Sequence, residues 1–185
     1  MQTLADDVAY GLLSLRAKQN EQLVQGAILK LAANVSSNPS VLFEQLVINL
    51  ASALRANGAF IARLLPDKPG FARTINAVID GKTTENFDYL IIDSPCKHLF
   101  IDEQCVYKKG VANYFPNSSS LSAFSAQAYV GQILKNSAAE IIGFMFVLFR
   151  SPLEDEAFIT STIKIFAARA ATELERLSID AHALQ

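Results

Sequence analysis

Residues 94–116, SPCKHLFIDEQCVYKKGVANYFP, hold both cysteines of the chain, one of its two histidines, two tyrosines and two of its six prolines. Three chemistries are open to such a set. Cys96 and Cys105 could form a redox pair, because thiols in a polar, partly exposed loop ionise and react. Cys96, His98 and Cys105 offer three metal ligands and an open fourth position, the arrangement of a catalytic zinc site, but their spacing matches no zinc motif. A third possibility is that the segment is an aromatic cover. Tyr89, Tyr107, Tyr114, Phe115 and Phe124 combine apolar rings with phenol handles, which suits a planar or amphipathic ligand.

Each of these has a plainer counterpart. Free cysteine is most often a small buried hydrophobe, and Lys97 or His98 lowers a thiolate pKa only by facing it. A lone His98 commonly satisfies a local hydrogen bond, and no C-x-x-C-H haem motif surrounds it. The aromatic residues can equally plug a sheet face. Nucleophilic catalysis finds no footing: there is no G-x-S-x-G, no phosphate-cradling glycine loop and no paired acid motif. The expectation is therefore a chain that is not an enzyme and holds no metal, with the cofactor left open.

The elements that position this segment are legible as periods. In residues 19–35, Val24, Ile28, Leu31 and Val35 form one helix stripe, behind a loose helical lead that contains Gly11. Asn38-Pro39 opens a second helix with stripe Phe43, Val47, Leu50 and Leu54, and Asn57-Gly58 supplies a left-handed stop. The period then changes. Residues 59–65, 71–79, 87–92, 127–134 and 140–149 read as strands, with Phe71, Arg73, Ile75, Ala77 and Ile79 on one face of the second. Ser151-Pro152-Leu153-Glu154 has the pattern of a capping box, and Ile159, Ile163, Phe166, Ala170, Leu174 and Leu177 follow at seam-like spacing.

Composition sets the outer bounds. The 185 residues are 51% hydrophobic and 18% charged, enough to bury a core. A net charge of −2 and a pI near 5.7 do not attract nucleic acid. The most apolar run, 141–149, is too short to cross a bilayer, and the first residues carry acids where a signal peptide carries positive charge. Two cysteines are too few for a disulfide scaffold. These features predict a cytoplasmic α+β domain. Its antiparallel sheet should carry the N- and C-terminal helices on one face and a loop and short-helix cover on the other.

The succession Tyr89, Ser94-Pro95-Cys96, Cys105-x-Tyr107, Gly110-Val111 and Phe115-Pro116 resembles GAF domains of bacterial signalling proteins. Tyr129-Val130-Gly131, Ile142-Gly143 and the closing IFAARAATELER extend the likeness over residues 38–177. It is closest to modules that precede histidine kinase or diguanylate cyclase domains. The resemblance implies a GAF/PAS-like, six-stranded antiparallel sheet with a pocket on one face. It also implies signal transduction from a small-molecule ligand to a kinase or cyclase output, often from a homodimer joined through terminal helices. Residues 1–37 are then a helical extension, 38–177 the sensor and 178–185 a helix end or tail. No output module follows Gln185, so the expectation is a sensor that stands alone or has been cut from a longer protein. The NKFDE-type motif of cyclic-nucleotide-binding relatives is absent. Chromophore-binding relatives commonly place Cys and His side by side, whereas Lys97 separates Cys96 from His98, so a bilin adduct is not expected. Two alternatives stay open: a ligand-free dimerisation module, and a thiol-based redox sensor or enzyme using Cys96 and Cys105. The ligand-binding candidates are Tyr89, Cys96, His98, Cys105, Tyr107, Tyr114, Phe115, Phe124 and Tyr129.

Overall fold

The computed structural model describes residues 4–33 and 38–183, with side chains over 4–26 and 38–179. The chain divides into two compact units, Met1–Val35 and Ser36–Gln185. In the first, α1 (Leu4–Ala33) is one unbroken helix. The expected loose lead followed by a second helix is therefore corrected. Asp6 and Asp7 sit in the first turn, where the helix dipole favours negative charge, and Gly11 is absorbed mid-helix. Val35 of the expected stripe lies outside the described residues, as do the side chains of Ile28 and Leu31. Leu4, Val8, Tyr10, Leu12, Leu13 and Leu15 are all exposed.

The second unit begins with α2 (Pro39–Leu54), capped as its sequence predicts. The Asn38 side chain accepts from the Ser40 amide at 3.1 Å, and proline occupies the first turn, where its missing N–H costs nothing. The helix ends at Arg55, in the left-handed region at φ 52°, rather than at Asn57-Gly58. Gly58 is needed elsewhere. It opens β1 (Gly58–Leu64), where a Cβ would fall 2.7 Å from the Phe60 ring.

The sheet continues with β2 (Phe71–Ile79), β3 (Lys82–Thr84), β4 (Asp88–Leu90), β5 (Gln104–Tyr107), β6 (Ala128–Lys135) and β7 (Ile141–Phe149). The order is β3-β2-β1-β7-β6-β5, with β4 also paired to β2, and every pairing is antiparallel. β3 and β4 meet opposite ends of β2, so seven strands fill six positions. The expected strand over 87–92 is shorter than predicted, because Ile91–Asp93 and Pro95–Phe100 turn into 3-10 helices. In β2 the buried face changes phase. Ile61 faces Asn76 while Ala62 faces Thr74, a bulge that leaves Ala72, Thr74, Ala77 and Val78 buried instead of a strict odd-numbered set.

α2 and α5 (Glu156–Ala183) pack against each other on one face of the sheet, α2 over β1 and β2, α5 over β6 and β7. α5 starts later than the capping-box pattern suggests. Leu153 donates its amide to the Lys108 carbonyl at 2.8 Å, which keeps 151–154 out of the helix, and Asp155 caps instead, accepting from the Phe158 amide at 3.2 Å. The predicted seam is core: Ile163, Phe166 and Ala170 are fully buried. The opposite face carries the two 3-10 turns, α3 (Val111–Tyr114) and α4 (Ser119–Phe124).

Candidate functional site

Between that cover and the sheet lies a cavity of about 280 Å³. Its walls follow from strand alternation: Phe60 of β1, Tyr129 of β6, and Phe146 and Leu148 of β7 point to the same side. Phe146 stacks on Phe60 at 4.8 Å and on Tyr129 at 5.7 Å, and Tyr89 meets it edge-on at 6.1 Å. The cover contributes Cys96, Ser118, Ser120, Leu121 and Phe124.

The floor holds three hydrogen-bonding groups. Cys96 Sγ lies 3.3 Å from the Tyr129 hydroxyl and 3.5 Å from that of Tyr89. Tyr89 is half-buried as a residue, and its hydroxyl turns inward to Cys96. Burial pushes both phenols well above their ordinary range, with the neighbouring Cys96 adding to the shift. Burial likewise raises the Cys96 thiol, against the lowering effect of its tyrosine contacts. All three groups are neutral at physiological pH, so the floor can exchange hydrogen bonds but carries no charge.

At the rim, Arg150 pairs with Asp80 at 2.5 Å, donates to the Phe124 carbonyl at 3.0 Å and lies over the Phe124 ring at 4.5 Å. Asp80 holds a left-handed backbone at φ 50° beside Gly81, and its carboxyl is held below the usual value by that arginine.

No family model and no curated protein matches the sequence. Solved structures do match by shape. The phycoerythrobilin-bound GAF domain of a cyanobacterial phytochrome superposes with a TM-score of 0.64 at 10% identity, over 88% of this chain and 98% of that one. The GAF domain of an Acinetobacter phosphoenolpyruvate-protein phosphotransferase gives 0.62 at 12% identity, over 90% and 96%. The chromophore-binding domain of a bacteriophytochrome from R. palustris gives 0.68 at 8% identity, over 89% of this chain and 63% of that one. The chain has the GAF fold.

Within this GAF fold the nine candidate residues separate. Tyr89, Cys96, Phe124 and Tyr129 line the cavity. His98 lies outside it, against the rings of Tyr107 at 6.3 Å and Phe115 at 6.2 Å. Phe115 is buried beneath the cover, while Tyr114 is 67% exposed and touches Tyr107 at the edge. Cys105 and Tyr107 belong to β5, paired with Gly131 and Tyr129. Part of the segment expected to be irregular cover is thus an edge strand of the GAF sheet. Cys105 is pushed up to about 11 by burial, then by Cys96 and Asp102, so neither thiol is activated as a nucleophile. Among the described residues no group of three or more His, Cys, Asp or Glu could hold a metal, and no helix is long and apolar enough to cross a membrane.

Reading along the sequence misses Phe60, Phe146, Ser118, Ser120 and Arg150. The alternation of Phe144, Phe146 and Leu148 was the available signal for one wall. Nothing local marks Arg150, which reaches the rim only because β7 ends beside α4. β5 also ties this face to the other. Gln104 donates to Gln132 and to the Thr160 carbonyl of α5, both at 3.0 Å, and Lys108 pairs with Glu156 at 2.6 Å.

Proposed function

We propose that residues 38–177 form a regulatory domain that senses a small, largely apolar molecule, with 1–37 a helical extension and 178–185 the end of the exit helix. The observation that carries this is the cavity itself. It is bounded by stacked aromatic rings and ends on three neutral hydrogen-bonding groups, Tyr89, Cys96 and Tyr129. A planar or aromatic ligand with one or two hydrogen-bonding groups suits it. Occupancy would press on β5 through Tyr129 and Tyr107, and β5 is pinned at both ends to the first turns of α5. A ligand shifts such an element only by binding its two arrangements unequally. The output in this reading is a histidine kinase or diguanylate cyclase in bacterial cytoplasm, and the domain itself is not an enzyme. Two chains of similar fold are described as bilin-bound or chromophore-binding, but Cys96 here is sealed between two tyrosines, which favours a non-covalent guest. The raised thiols likewise favour sensing over redox chemistry.

Thermal shift against nucleotides, amino acids and aromatic acids tests the reading. A ligand raises the midpoint in a concentration-dependent way, and Cys96→Met, which fills the cavity, removes the effect. Silence across all three panels counts against it.

A dimerisation role is a second reading, resting on large apolar side chains of α1 that are exposed, Leu12, Leu13 and Leu15 among them. A homodimer through the terminal helices would cover them. Sedimentation of the whole chain and of a Leu12→Glu/Leu15→Glu variant separates the two: dissociation of a dimer supports it, and an unchanged monomer removes it.

A further inference from the structure

A second concavity, a groove of about 1310 Å³, curves around the end of the sheet where β1 leaves for β2. Among the described residues, none lines both it and the aromatic cavity. Its walls are apolar, with Leu64, Phe71, Ile92, Phe100 and Leu177 among them; Ile92 is 61% and Phe100 47% exposed. A concave, mainly apolar wall of this kind suits the apolar body of a ligand.

Among the described residues, the charged side chains lining the groove are Arg63 and Lys97, both cations. Arg63 stands directly opposite Arg73 in the β1–β2 register, and directly opposed like charges destabilise a sheet. Arg73 is matched by Asp88 at 2.5 Å, and Lys68 shares that same carboxylate at 3.7 Å. Arg73 and Lys68 thus share one carboxylate, and among the described residues Arg63 makes no ion pair. Lys97 has none either, and its ammonium lies 5.1 Å from the Phe115 ring.

We infer that this groove binds a single-chain amphiphile with an anionic head, a long-chain carboxylate, whose head pairs with Arg63 and whose chain lies along Leu64, Phe71 and Phe100. A free molecule fits better than a bilayer. The site is concave rather than flat, with Phe43 of α2 and Leu174 of α5 as walls, and a chain of net charge −2 gains nothing overall from an anionic membrane. Because Leu174 and Leu177 belong to α5, an acyl chain here touches the helix that leaves the domain.

The test is fluorescence titration of the whole chain with cis-parinaric acid below its micellar concentration, followed by displacement. Saturable one-to-one binding is expected, displaced by dodecanoate at least about tenfold better than by dodecan-1-ol, the difference of one charge-assisted hydrogen bond. Arg63→Glu should weaken binding at least about tenfold with the circular dichroism unchanged, since Arg63 is exposed. Arg63→Lys should retain most of it, and Cys96→Met should leave it intact. Equal binding by Arg63→Glu, equal displacement by dodecan-1-ol, or loss on Cys96→Met would each overturn the proposal. So would co-sedimentation with phosphatidylglycerol vesicles in the absence of parinarate binding.

Discussion

The Tyr129 side chain lies over Gly131, its hydroxyl and ring edge filling the space in which a Cβ on that glycine would stand. The two residues are on the same face of β6, and the ring is clamped there by Phe146, the cross-strand partner of Gly131. This arrangement aims the Tyr129 hydroxyl at Cys96. Gly131→Ala must therefore move a packed ring or bend the strand. A loss of about 1–3 kcal/mol in urea denaturation is expected, the usual cost of forcing atoms into a filled core. Gly11→Ala serves as the control, because a Cβ there meets nothing within 4 Å and alanine favours a helix.

The two thiols should be slow and unequal towards iodoacetamide. Cys96 is 1% exposed between two tyrosines, whereas Cys105 is only half-buried on an edge strand. Mass spectrometry at pH 8 should show Cys105 alkylated before Cys96, both far more slowly than in denaturant. Rapid modification of Cys96 in the native chain would contradict the described burial.

Stability should fall at both ends of the pH scale. On the alkaline side, Cys105 is pushed up to about 11 in the folded chain, against an ordinary value near about 8.5. The folded state then holds the proton that the unfolded state has lost, so stability declines as pH rises from about 8.5 to about 11. Buried Cys96, Tyr89 and Tyr129 act in the same direction. On the acid side, Asp88, Asp80 and Glu103 are lowered by hydrogen bonds from Arg73, Arg150 and Lys135. Their contribution is complete above the ordinary carboxylate range near about 4 and is lost as pH falls through the lowered values. Urea midpoints measured across pH should show both declines, and Cys105→Ser should flatten the alkaline one.

Ile163 and Leu174 lie on the stripe that resembles a coiled-coil seam, yet they are 0% and 6% exposed within the single chain. Ile163→Asp should unfold the domain, because a charge buried without a partner costs several kcal/mol in addition to the lost packing. Circular dichroism combined with sizing chromatography distinguishes this from an interface, for which the monomer would stay folded.

Much of the fold was legible in residue order, because helices and strands leave different periods. The cap at Asn38, the stripe of α5, the strands β1, β2, β6 and β7, and the sided arrangement of cover and helices all follow from local pattern. Boundaries failed where a distant partner decided them. Residues 151–154 carry helix-start chemistry, but the amide of Leu153 is taken by Lys108, so the helix waits for Asp155. Gly58 looks like a helix stop, yet it admits the Phe60 ring. β5 has too few residues to show alternation, and only its pairing to β6 makes it a strand. The cavity shows the same division. Sequence alone supplied the aromatic residues and thiols of the cover. Bringing Cys96 within 3.3 Å of Tyr129, 33 positions away, and setting Arg150 at the rim required the sheet to close, because burial and side-chain approach are properties of packed surfaces and not of neighbours along a chain.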